Sequence, residues 1–186
     1  MAPTELPFTE NDDANRLLAA DPLALLIGML LDQQIQMERA FAAPFLLQQR
    51  MGEPLDAGRI AATDEDAVIE MFRGPPALHR FPASMGKRTQ ALCRHIAEEY
   101  EGNAARLWES AADGGEFFRR LKALPGFGDA KARIFVKVVG ARLGAAPAGW
   151  EDYAADWPSI ADVDSFDKVA VLREQKRAMK AKKQSG

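Results

Sequence analysis

The chain predicts an all-α protein, and three observations point there. Apolar residues recur at helical spacing, as in Phe117, Phe118, Leu121 and Leu124. Breaks such as Gly74-Pro75-Pro76 and Gly102-Asn103 punctuate the helical stretches. No stretch alternates apolar and polar residues for long enough to build a sheet.

Taken in order, the first firm start signal is Asp21-Pro22. It pairs an N-cap carboxylate with a proline at the first helical position, where its missing N–H is not needed. The segment through Leu31 is strongly apolar and is expected to be a buried core helix. Further helices are expected near residues 36–50, 64–72, 84–100 and 104–110. Thr63, with Asp66 three residues on, gives the helix over 64–72 a capping-box-like start. Cys93 lies within an amphipathic stretch and reads as a small buried hydrophobe.

The most informative run is Leu124-Pro125-Gly126-Phe127-Gly128 and the helix-like stretch that follows it, residues 129–140. Pro125 tends to stop the preceding helix, and Gly126 and Gly128 allow positive φ or close approach by another chain. The turn opens into a helix N-terminus, whose unpaired amides and dipole attract an anion. Lys122, Lys131, Arg133 and Lys137 add positive charge, with Asp129 the only acid among them. A nucleic-acid backbone is the natural ligand of such a turn, because amides and lysines that grip phosphate need not read sequence. The bland alternative is a helix corner whose glycines only cap a helix.

Residues 144–158 turn rich in Ala, Gly and Pro, with Trp150, Tyr153 and Trp157 interspersed. They read as a longer connection partly packed by aromatics, which either stack on a base or pin the connection to the core. A last amphipathic helix is expected from residue 166 to about 182, with Val169, Leu172 and Met179 on its apolar side.

Composition sets the bounds. The 186 residues are 47% hydrophobic, enough for a sizeable core, and the formal charge of −3 excludes a nonspecific polycation. Charge is uneven: the first thirty residues hold Glu5, Glu10, Asp12, Asp13 and Asp21 against Arg16, whereas residues 173–183 hold six cations and one acid. That basic run suits DNA phosphates or a solvated tail alike. One cysteine excludes an intramolecular disulfide and any four-cysteine metal or iron–sulfur site. His79 and His95 sit in no metal pattern and are expected at the surface or core edge. With no signal-like N-terminus and no membrane-length apolar run, the expectation is a cytoplasmic protein associated with the nucleoid.

The hairpin run, with Ala132 and an apolar helix behind it, resembles the helix-hairpin-helix-GPD superfamily of base-excision DNA glycosylases, the group containing endonuclease III and 3-methyladenine DNA glycosylase II. Leu30-Leu31-Asp32-Gln33-Gln34-Ile35-Gln36 is similar to the apolar helix and glutamine turn that those enzymes place against opened duplex. Val163-Asp164-Ser165 resembles the segment carrying their catalytic aspartate. The three matches occur in family order. They imply a two-lobed fold with a cleft between lobes: a central domain over 22–143 and a second lobe from 1–21 with 144–186. They also imply a monomer acting on double-stranded DNA that contains a damaged base.

The departures shape the chemistry. Bifunctional members carry a nucleophilic lysine two residues after the hairpin's last glycine, where this chain has Ala130. Lys131 is about 100° further round the helix and is expected to point elsewhere. Lyase chemistry is therefore disfavoured, and the missing cysteine cluster leaves no cofactor to expect. The resemblance thus implies hydrolysis of the N-glycosidic bond of a flipped base, with a carboxylate facing the developing charge. Asp164 matches the family triplet, and Asp162 fits the spacing from Trp157 almost as well. Asp164 is equally suited to capping the last helix. DNA contacts fall to Gly126, Phe127, Gly128 and Lys131, with Gln34 as the wedge beside Gln33, although both glutamines also fit a solvated helix end. The alternative reading is a catalytically silent helix-hairpin-helix DNA-binding protein. Lesion preference leans toward alkylated bases.

Overall fold

The computed structural model describes residues 2–185, and every regular element among them is helical. Helix α1 (Asp12–Ala20) lies before the first start signal that the sequence offered, Asp21-Pro22. Its first residues build it: the Asn11 side chain accepts the Ala14 amide at 3.1 Å, and Asp12 and Asp13 face the positive helix end. Helix α2 (Pro22–Leu31) starts as its sequence predicts, with the Asp21 carboxylate accepting the Leu23 amide at 2.9 Å. Every residue after Pro22 is buried. Helix α3 (Met37–Met51) crosses it closely, because a Cβ on Gly28 would stand 2.7 Å from Phe41 Cδ1.

Helix α4 (Ala57–Ala62) is too short to show a period in the sequence and is set by Asp56, whose carboxylate accepts the Arg59 amide at 2.8 Å. Helix α5 (Glu65–Arg73) corrects the expected cap by one residue. Asp64 accepts the Ala67 amide, while the Thr63 hydroxyl turns back to donate to the Arg59 carbonyl at 2.7 Å. Helix α6 (Pro82–Glu99) begins two residues earlier than expected, on Pro82. Buried Gln90 donates to the carbonyls of Ile60 and Thr63, tying α6 to the end of α4. Cys93 is buried as expected, and burial pushes its thiol up to about 12.

Helix α7 (Arg106–Glu109) leads to α8 (Gly114–Lys122) and, after the hairpin, to α9 (Asp129–Lys137). Phe117, Phe118, Leu121 and Leu124 are all buried, as their rhythm predicts. The expected run to residue 140 instead passes into a π turn, Val138–Arg142. There Gly140 accommodates Trp150, whose indole lies 2.4 Å from where a Cβ would be. Residues 144–158 thus lie back on the hairpin helices. The Gly114 amide donates to the Ala148 carbonyl at 2.8 Å, the Ala155 amide donates to the Arg133 carbonyl at 3.1 Å, and Tyr153 stacks on Phe118. Short 3₁₀ turns, Trp150–Asp152 and Ile160–Asp162, precede α10 (Asp167–Ser185). Val169 and Leu172 bury, but Met179 is 40% exposed, so the apolar stripe of α10 ends sooner than its spacing suggests. One hydrophobic core runs through all of this. Among the described residues no single helix is long and apolar enough to cross a membrane.

Candidate nucleic-acid interface

The hairpin is a type II turn dictated by two residues. Pro125 presets φ, and Gly126 takes φ +83°, letting the Phe127 amide donate to the Leu124 carbonyl at 3.1 Å. Gly128 is extended, with φ −91° and ψ −175°, and no side chain caps α9 behind it. The first-turn amides of α9 therefore have no intrahelical partner. The two glycines differ in their surroundings. A Cβ on Gly126 would stand 2.4 Å from Leu30 Cδ1, whereas one on Gly128 would meet nothing within 4 Å. Phe127 faces inward, only 6% exposed and edge-on to Phe135, so its expected role at the surface reduces to its backbone. Asp129 crosses the mouth of the turn, bonded to Arg133 at 2.9 Å and paired with Lys122 at 3.5 Å. The Arg133 bond, first among the causes, holds its carboxyl below the usual range.

Lys131 points inward from α9. Its Nζ donates to the Leu30 carbonyl at 3.0 Å, placing a cation at the negative end of α2. Burial pulls its pKa down to about 8, against the opposing pull of Asp32. Asp32 itself is held above its ordinary range by burial, with Lys176 and Lys131 acting the other way. Asp32 lines two cavities: one of about 420 Å³ beside the hairpin with Gly128, Ala130 and Lys131, and one of about 540 Å³ with Gln33, Gln34 and cations of α10. The expected glutamines and hairpin thus meet around a residue the sequence did not single out. The lysines that share its cavities, Lys131 and Lys176, come 99 and 144 positions later, so its setting was not visible in local spacing.

The glutamine loop is braced from α6 and its approach. The Phe81 amide donates to His79 Nδ1 at 3.0 Å, which makes Nε2 the N–H donor to the Gln33 carbonyl at 2.9 Å. His79 is buried, where the expectation was the surface or the core edge. Burial, the largest cause, lowers its pKa despite the opposing bond to the Gln33 carbonyl. The Gln33 amide group donates to the Leu30 carbonyl at 2.9 Å, so Gln33 is a brace. Gln34 is exposed and held at φ +60°, a conformation costing a non-glycine residue about 1–3 kcal/mol. Such strain is kept where the surroundings fix it, and here they display one side chain.

Helix α10 contributes Lys176, Arg177 and Lys180 to the larger cavity, and its Arg173 pairs with Glu38 of α3. Lys176, Lys180 and Lys183 continue past Trp157 along a smaller cavity of about 240 Å³. The two aspartates expected at the reaction centre lie elsewhere. Asp162 accepts from Lys137 Nζ at 2.7 Å and from the Ser159 amide at 2.9 Å, closing a capping box on its own 3₁₀ turn. Asp164 is exposed, paired with Lys168, and lines a third cavity with Glu5, Glu10 and Asp12. The bond to Lys168 is the largest cause holding its carboxyl below the usual range. Among the described residues no group of three or more His, Cys, Asp or Glu side chains is placed to hold a metal. No protein-family model matches the chain, and no curated protein matches it.

Proposed function

We propose that this chain is a DNA glycosylase of the helix-hairpin-helix type, monofunctional, that hydrolyses the N-glycosidic bond of a damaged base flipped from duplex DNA. The observation that carries the reading is the meeting of three parts around one cleft. An uncapped hairpin helix, a displayed and strained Gln34, and a row of α10 cations all border the cavities that share Asp32.

In this reading the first-turn amides of α9 grip a phosphate and the α10 cations hold the strand, both without reading sequence. Gln34 fills the stack left by the extruded nucleotide, at a cost of roughly a few kcal/mol that the backbone contacts offset. The cavity lined by Gln33, Gln34 and the α10 cations, about 540 Å³, falls within the range of about 300–1,000 Å³ typical of small-ligand sites. Ala130 offers no amine, and the Lys131 amine is engaged with the Leu30 carbonyl, so water is the nucleophile. The chain would act as a monomer, its lobes meeting at this cleft.

A second reading, a silent DNA-binding protein, is favoured by one observation: Asp162 and Asp164 are both committed to ion pairs away from the cleft. Duplexes carrying alkylated, deaminated and oxidised bases separate the two. Release of free base from at least one, with strand breaks only after hot alkali, is the expected result. Tight duplex binding with no base released from any would leave only the second reading.

A further inference from the structure

We propose that Asp32 is the carboxylate of the reaction centre, accepting a proton from the attacking water and facing the positive charge that develops at C1′. The inference deepens the base-excision reading and rests on it.

Asp32 sits where α2 ends, on the wall shared by the hairpin cavity and the glutamine cavity. Its carboxylate has no hydrogen bond or ion pair among the described residues; it feels Lys131 of α9, Lys176 of α10 and Glu38 of α3 only through space. Lys131 bonds the Leu30 carbonyl instead of closing a pair with it, and Arg173 neutralises Glu38. Asp32 is half-buried in the cavity wall, and a carboxylate partly withdrawn from water with no partner costs stability; such groups concentrate where their chemistry is used. Desolvation also makes it a stronger base than a surface aspartate, as proton abstraction from water requires. Asp162 offers nothing comparable, since both its oxygens are already bonded.

The step balances. The C1′–N bond breaks with its electron pair leaving on the base, and the water oxygen bonds to C1′. One water proton passes to Asp32 Oδ and from there to the departed base. Lys176 lines both cavities with Asp32, suited to the phosphate beside the flipped sugar.

A lesion-independent probe tests the assignment. Duplexes carrying a cationic pyrrolidine abasic analogue mimic the charge at C1′, and the neutral tetrahydrofuran analogue is the control. Wild-type protein should prefer the cationic duplex by about 100-fold, the lower end for transition-state mimics. Asp32→Asn should erase the preference while Asp164→Asn and Asp162→Asn keep it, and Asp32→Glu should restore part of it. Thermal melts of each variant establish that it is folded. If Asp32→Asn does not fold, the wild-type preference measured against pH decides. It should vanish as pH falls through an ionisation above the ordinary aspartate range; the charged groups that face Asp32 are Lys131 of α9, Lys176 of α10 and Glu38 of α3. A preference that survives in folded Asp32→Asn, or is flat with pH, overturns the assignment and leaves base excision standing. Failure of wild type to favour either analogue over intact duplex overturns both.

Discussion

The two hairpin glycines should come apart when each is replaced by alanine. At Gly126 the new Cβ would stand 2.4 Å from Leu30 Cδ1, and the backbone holds φ +83°. The left-handed conformation costs alanine about 1–2 kcal/mol, and crowding a packed leucine adds about 1–3 kcal/mol when it cannot step aside. Leu30 is fully buried, so little of that is relieved. The sum, about 2–5 kcal/mol, converts to a fall in Tm of roughly 4–20 °C for a chain of this size. At Gly128 nothing lies within 4 Å and φ is −91°, so stability should hold within about 0.5 kcal/mol. The Gly128 Cβ instead occupies the approach to the α9 amides. Loss of one charge-assisted bond there, about 1.5–3 kcal/mol, weakens duplex binding by about 10- to 100-fold whatever the sequence. Calorimetric melts and fluorescence anisotropy with two unrelated duplexes read both effects. Wild-type affinity in Gly128→Ala, or even in the bulkier Gly128→Val, would refute the hairpin as anchor. An unchanged Tm in Gly126→Ala would refute the steric argument.

Borohydride should trap no covalent adduct between the protein and abasic-site DNA, since Ala130 holds the nucleophile's place and Lys131 Nζ bonds the Leu30 carbonyl; a robust adduct lost in Lys131→Gln would reverse this. Arg177→Gln and Lys180→Gln should each lower the slope of log affinity against log salt by about 0.9, the value for one phosphate contact in duplex DNA, and an unchanged slope would free α10 from that role. His79 has a lowered pKa, so the unfolded chain takes its proton first: the neutral imidazole's stabilisation is complete above about pH 6.5 and is lost as pH falls below it. Melting temperature measured from pH 8 to 5 should therefore fall more steeply in wild type than in His79→Gln, and parallel curves would exclude the histidine as the cause.

Legibility followed locality. Asp21-Pro22 and the phenylalanine rhythm of α8 act within a few residues, and spacing alone placed them. The hairpin turn was equally readable, because Pro125 and Gly126 fix a type II turn without help from the rest of the chain. Local logic misplaced one cap by a residue, at Asp64, since Thr63 had a competing carbonyl in the helix before it. Phe127 was read as a DNA contact because its ring partner, Phe135, lies eight residues on, in the following helix. Asp32 was the real gap: a polar residue after an apolar helix reads as a solvated end until α9 and α10 are folded over it. Met179 failed for the opposite reason, with helical spacing intact but no core left to meet it.

Leu30 has a consequence for how DNA would be searched. Its side chain is the surface on which Gly126 rests, and its carbonyl receives both Lys131 and Gln33. The hairpin and the glutamine loop are thereby bolted to the same residue and cannot slide relative to each other. A duplex gripped by one is presented to the other at a constant offset along the strand. On the proposed function the protein would then act as a ruler, testing whichever nucleotide lies a set number of steps from the gripped phosphate and moving the whole frame to test the next.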